Sequence, residues 1–119
     1  MSGSFRLTRV HADERGVTHF GEIEVPLAPS GPIGSLSEPW TAGDVVFRTV
    51  AAETDHDWHP APRRQLVVLL DGEIEIEVGD GERRRFRGGD VLLVEDTAGR
   101  GHRTRTLAGP RRSLFVALD

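Results

Sequence analysis

The sequence predicts an all-β domain, and three observations carry that prediction. Glycine and proline recur, 14 and 7 times in 119 residues, at intervals that leave little room for a long helix. Residues 73–78 read Glu-Ile-Glu-Ile-Glu-Val, a period-two alternation that sets Ile74, Ile76 and Val78 on one face. Residues 65–70 form a run of strand length rich in valine and leucine, joined to the alternating segment by Asp71-Gly72. That dipeptide suits a two-residue turn whose central residues need positive φ, so the two segments are expected as a hairpin.

The remaining elements follow in order. Upstream, residues 5–10, 18–25 and 44–50 read as strands. Residues 27–43, rich in Pro, Gly and Ser, read as a long loop over a pocket mouth or against a dimer partner. Downstream, residues 82–87 are set off by Gly79-Asp80-Gly81 and Gly88-Gly89, and 91–94, 102–108 and 113–118 complete the set. Many short strands with Gly-rich turns imply an antiparallel sandwich or a closed barrel. A single domain is expected over 1–119, with N-terminal strands and loop at 1–43 and a barrel core at 44–119.

Composition narrows the function. Charged residues at 29% and hydrophobic residues at 37% are ordinary for a soluble globular chain. No apolar run approaches the ~20 residues needed to span a bilayer, and residues 1–10 lack an apolar signal segment, so a cytoplasmic address without membrane contact is expected. A net charge of −4 argues against bulk nucleic-acid binding. All 15 basic residues are arginine, which GC-rich codon usage explains more simply than a demand for bidentate anion contacts. Without Cys, Lys or Tyr there is no thiolate, Schiff base or phenolic acid. Any catalysis falls to His, Asp, Glu, Arg, a hydroxyl or a bound metal.

The stretch from His59 to Thr106 resembles the two motifs of the cupin superfamily. In the first motif, His59 takes the first histidine position, Ala61 the second, and Gln65 the glutamate position, with Gly72 closing the spacing. Glu53 stands where the opening glycine belongs. In the second motif, Gly89 opens, Glu95 replaces the proline, Gly99-x-x-His102 supplies the ending, and Thr106 replaces the asparagine. The intervening segment, Glu95 to Gly101, is two residues longer than the usual turn. The resemblance covers about half of the chain and implies a single-domain antiparallel β-barrel of jelly-roll type. Strand alternation agrees: Ala61, Arg63, Gln65, Val67 and Leu69 share one face of an extended segment, as do His102, Thr104 and Thr106.

The same resemblance implies a site. His59, Gln65 and His102 are the candidate metal ligands, with His56 or Asp57 as a possible extra ligand. The ion would be one divalent metal, Fe, Ni, Zn, Mn or Cu, among which a carboxylate-free set does not select. Without a metal, His59 or His102 is the general base and Gln65 orients the substrate. Arg63, on the expected inward face, is the substrate clamp, with a rim salt bridge as its bland alternative.

Elsewhere the bland readings lead. Glu95 and Asp96 read as solvated loop acids with a base role as the sharper alternative. Arg83-Arg84-Arg85 reads as cross-strand pairing with Glu73, Glu75 and Glu77. His11 and His19 read as surface residues, and Trp40 and Trp58 as packing. The expected function is an enzyme on a small anionic metabolite, of dioxygenase, isomerase, cyclase or decarboxylase class, with a non-catalytic binding module as the alternative. A homodimer is expected, built on the two apolar faces of 114–118.

Overall fold

In the computed structural model, residues 3–118 are described, so the extreme ends of the expected 1–119 domain lie outside the described residues. Eleven strands follow one another: β1 (Gly3–Ala12), β2 (Thr18–Pro29), β3 (Ser35–Leu36), β4 (Ala42–Val50), β5 (His56–His59), β6 (Gln65–Leu69), β7 (Glu73–Glu77), β8 (Arg83–Arg87), β9 (Val91–Val94), β10 (His102–Ala108) and β11 (Arg111–Leu118). The one helical element among them is a 3-10 turn at Gly31–Ile33. No helix of the described residues is long and apolar enough to cross a membrane.

The strands form a seven-stranded sheet, β3-β2-β1-β9-β6-β11-β4, and a four-stranded sheet, β5-β10-β7-β8. Neither closes on itself, which corrects the expectation of a closed barrel. Nor is the pairing wholly antiparallel, because β1 runs parallel to β9. The sheets share one core: Val10, Leu69, Leu92 and Val94 from the larger pack with Ile74, Ile76 and Phe86 from the smaller. Burying such side chains is worth about 1.5–3 kcal/mol each before entropy is counted. A second cluster, Leu7, Leu93 and Leu118, lies apart from it. The 27–43 segment borders an outer groove here, where Ser37 and Trp40 meet Leu7, Val25, Leu66 and Val91. It is therefore not a lid over the histidines. It is also less loop-like than expected, since β2 runs on to Pro29 and pairs with β3.

The alternation in β7 appears as read, with Ile74 and Ile76 buried and the glutamates turned out. Glu75 faces Arg85 and Glu77 faces Arg83 across the ladder. From the other side Arg103 reaches Glu77, and Arg105 lies 3.9 Å from Glu75. Two arginine rows thus flank one glutamate row on the outer face, where solvent screening keeps each pair weak.

The expected hairpin at Asp71-Gly72 does not form. β6 pairs with β9 and β11, whereas β7 pairs with β8 and β10, so the turn is a corner between sheets. Positive φ is still required there, 79° at Gly72, and a Cβ would overlap the Arg111 side chain. Asp71 holds the corner by accepting from the Arg112 backbone N–H at 2.6 Å and from its Nε at 2.8 Å.

Candidate functional site

β5, β10 and β7 on one side, and β9, β6, β11 and β4 on the other, enclose a cavity of about 430 Å³ between the sheets. Its walls are Ala61, Val67, Leu69, Ile74, Ile76, Leu92 and Val94, and its polar groups gather at two ends. This size and apolar lining suit a small organic molecule.

One end carries imidazoles. β10 pairs with β5 so that His102 faces His59 and Thr104 faces His56. The His59 and His102 rings lie 5.1 Å apart, and His56 lies 6.3 Å from His59. His102 Nδ1 is 2.6 Å from Asp96 Oδ2, and Asp96 is wholly buried at 0% exposure. A carboxylate accepts, so Nδ1 donates, and in the neutral ring Nε2 is the nitrogen that holds the lone pair. His59 repeats the pattern: its Nδ1 is 2.7 Å from the Asp57 carbonyl, which can only accept. Asp96 is itself anchored through its own carbonyl, which accepts from Ala61 N–H at 2.9 Å. Asp96 is therefore no solvated loop acid, and the sequence offers no local signal of its burial. His59 lies at the exposed rim and not on the floor, while Gln65 on β6 is buried in the cavity wall.

The other end carries guanidinium groups. Arg111 opens β11 and is 1% exposed. Its Nη1 donates to Thr106 Oγ1 at 2.7 Å, and Thr106 Oγ1 donates in turn to the Thr54 carbonyl. Its Nε and Nη2 are buried with no hydrogen-bond partner among the described residues. Arg48 on β4 packs over the Phe115 ring at 4.5 Å, with Nε 3.4 Å from Ser113 Oγ. Burial, then the Arg48 and Arg111 charges, push the His56 imidazole below its ordinary range and favour its neutral form. Burial and the neighbouring Arg48 also lower Arg111.

Arg63, expected as the clamp, is not in this cavity. Residues 62–64 form a bend after Pro60 and Pro62, which breaks the strand parity, and Arg63 reaches Asp44 at 3.3 Å on the surface. The arginines that do line the cavity are Arg48 and Arg111, which sequence reasoning missed. Alternation along β11 was the available signal, since Arg111, Ser113, Phe115 and Ala117 share a face.

Other candidates settle into structural places. Glu95 is pushed up by burial and pulled down further by hydrogen bonds from Arg64 and Arg9, so it stays below the usual carboxylate range. Asp57 caps its own neighbourhood, accepting from Trp58 N–H at 2.8 Å. Trp58 lies under Arg100 at 4.0 Å, and Trp40 borders the outer groove. His19 bridges Asp80 and Asp13 at 2.8 Å each, next to His11.

His59, Gln65 and His102, with His56 beside them, are the residues that would hold a metal ion in this cavity. Among the described residues no three His, Asp or Glu side chains gather closely enough to hold one by themselves. His59, His102 and Gln65 are all neutral ligands, so this set brings no negative charge of its own to a divalent cation.

Fold and site together define a small two-sheet all-β protein with an imidazole–guanidinium cavity. No protein-family model matches the chain. A stretch of 64 residues is 34% identical to oryzines biosynthesis cluster protein J of Aspergillus oryzae, covering 52% of this chain and 34% of that protein. The chain thus spans about a third of that relative's length. Among solved structures, protein NMB1881 from Neisseria meningitidis is similar with a TM-score of 0.49 and 21% identity, over 71% of this chain and 89% of that one.

Proposed function

We propose that this chain is a cupin-like enzyme that moves a proton on a small organic anion bound between its two sheets. The observation that carries this reading is the buried Asp96–His102 pair, 5.1 Å from a second imidazole and facing an apolar cavity. Asp96 fixes the His102 ring, so Nε2 is held as a base, and the apolar wall strengthens its interaction with a substrate proton. His59 Nε2, at the rim, is the second group, which takes or returns the proton at another atom. Gln65 orients the substrate through its amide. Two guanidinium groups at the opposite end favour an anionic ligand. The relative's name places that protein in a biosynthesis cluster, which agrees with small-molecule chemistry here.

The test is incubation with a panel of small carboxylic acids, read by mass spectrometry and by deuterium uptake from heavy water. Wild type is expected to exchange or convert at least one acid, and His102→Ala to do neither while keeping its Tm. A ligand that raises Tm yet returns unchanged and undeuterated would replace this reading with the non-catalytic binding module. Near-stoichiometric metal in wild type, absent from both His59→Ala and His102→Ala, would replace it with a metal-dependent site.

A homodimer belongs to the same proposal, on a different surface from the one expected. β11 is interior to its sheet, paired by β6 and β4. β4 is the edge strand, and it exposes Val45 (50%), Val46 (51%) and Phe47 (80%). An apolar edge invites pairing, and β4 against the β4 of a second copy continues the sheet across a two-fold axis. Light scattering is expected to give twice the chain mass, falling to the monomer in Phe47→Glu; a wild-type monomer throughout the micromolar range would remove the dimer.

A further inference from the structure

We infer that the Arg111 end of the cavity is a carboxylate-binding subsite, a deepening that rests on the small-molecule reading above. The three guanidinium nitrogens have two fates. Nη1 is fixed by Thr106 Oγ1, while Nε and Nη2, the two that form one side-on edge of the fork, are buried without partners. That edge presents two parallel N–H donors at the spacing of a carboxylate's oxygens. No carboxylate among the described residues forms an ion pair with it. The Asp55 charge acts on Arg111, but Asp55 Oδ1 accepts from Thr106 N–H at 2.9 Å.

A folded chain rarely keeps a buried guanidinium with its donors unmet, because removing a charge from water costs several kcal/mol, roughly, even after relaxation. Here the cost is retained, and the side chain is aligned in advance. Thr54 holds Thr106, Thr106 holds Nη1, and the fork has little freedom left to lose on binding. Arg48 adds a second positive charge to the same end, and neutral His56 stands between this end and His102. Along β10, Thr106 and His102 lie about 13 Å apart at strand rise, and the Arg111 side chain shortens that span. A carboxylate on the fork therefore leaves the rest of a short, mostly apolar molecule along Ile74, Ile76 and Leu92, with its far end toward the imidazoles.

The probes are hexanoate, hexanamide and inorganic phosphate, titrated into wild type and followed by calorimetry and by the Arg111 Nε–H resonance. Hexanoate is expected to bind at least tenfold more tightly than hexanamide and to shift that resonance. Arg111→Met, close in volume and uncharged, is expected to lose the tenfold preference while its Tm holds or rises. Arg111→Lys keeps the charge without the fork and is expected to lose most of it too. Equal binding of hexanoate and hexanamide by wild type, or phosphate preferred to hexanoate, would overturn the assignment. So would a fall in Arg111→Met Tm with the preference intact, which marks Arg111 as structural. These readouts need no turnover, so the carboxylate subsite fails or stands separately from the proton-transfer function, which rests on His102→Ala.

Discussion

Asp96→Asn is expected to lower turnover by about 10²- to 10⁴-fold while leaving the protein folded. The substitution keeps size and shape, so packing around residue 96 is undisturbed. What changes is the proton on His102. Asp96 Oδ2 accepts from Nδ1, and Oδ1 is buried with no partner. An amide at this place must leave either its oxygen or its NH2 unmet at the Oδ1 position. A buried N–H without a partner is the worse tolerated of the two. The NH2 group therefore turns to His102 and donates to Nδ1, and the ring proton moves to Nε2. The base loses its lone pair with every atom still in place. Nitrogen-15 shifts of the imidazole report the exchange directly: Nδ1–H in wild type, Nε2–H in the variant. Unchanged turnover with an exchanged tautomer would remove His102 as the base, and an unexchanged tautomer would remove Asp96 as the group that sets it.

Much of the imidazole end was legible in the sequence, and the guanidinium end was not, for a physical reason. His59, Gln65 and His102 are polar residues on segments whose alternation or motif spacing points them inward, and all three line the cavity. Asp96 sits in an irregular loop, where no period tells a buried carboxylate from a solvated one. Strand parity continued back from β6 turns Arg63 inward, but the bend at residues 62–64 cancels that parity. Arg111 follows Gly109-Pro110 at the start of β11, where a basic residue looks like an ordinary strand end. Alternation along β11 puts it on the face of Ser113 and Phe115, but pairing is what brings that face to the cavity: Arg111 lies beside Val50 on β4, and its side chain reaches Thr106 on β10, in the other sheet.

The strands themselves divide in the same way. β7, β8, β9 and β10 announced themselves by alternation or by glycine punctuation, and their observed limits agree within a residue. β5 did not, because His56–His59 is a short, polar edge strand next to two prolines, and its extended form comes from pairing with β10. The corner at Asp71-Gly72 shows the limit of local turn chemistry. The dipeptide specifies a positive φ, whereas the sheet each neighbour joins depends on distant partners.

Gly101→Ala is expected to be the most damaging small substitution in the site, costing more than about 3 kcal/mol and separating His59 from His102. Gly101 has φ of 83°, and a Cβ there would overlap the carbonyl of His59 and the nitrogen of Pro60. These are backbone atoms of the β5 end, so no rotamer relieves the clash, and β5 must move off β10. The Gly101 carbonyl is also committed, accepting from Thr18 Oγ1 at 2.5 Å, which prevents the glycine from yielding instead. Gly81→Ala supplies the control. Its φ of 94° imposes comparable backbone strain, but its Cβ would meet nothing within 4 Å. Strain alone there is worth about 1–2 kcal/mol. Urea midpoints of the two variants separate strain from overlap, and amide spectra show whether the β5 signals move. Equal midpoints would mean that β5 gives way freely, and that the close approach of Gly101 to His59 does not hold the two imidazoles together.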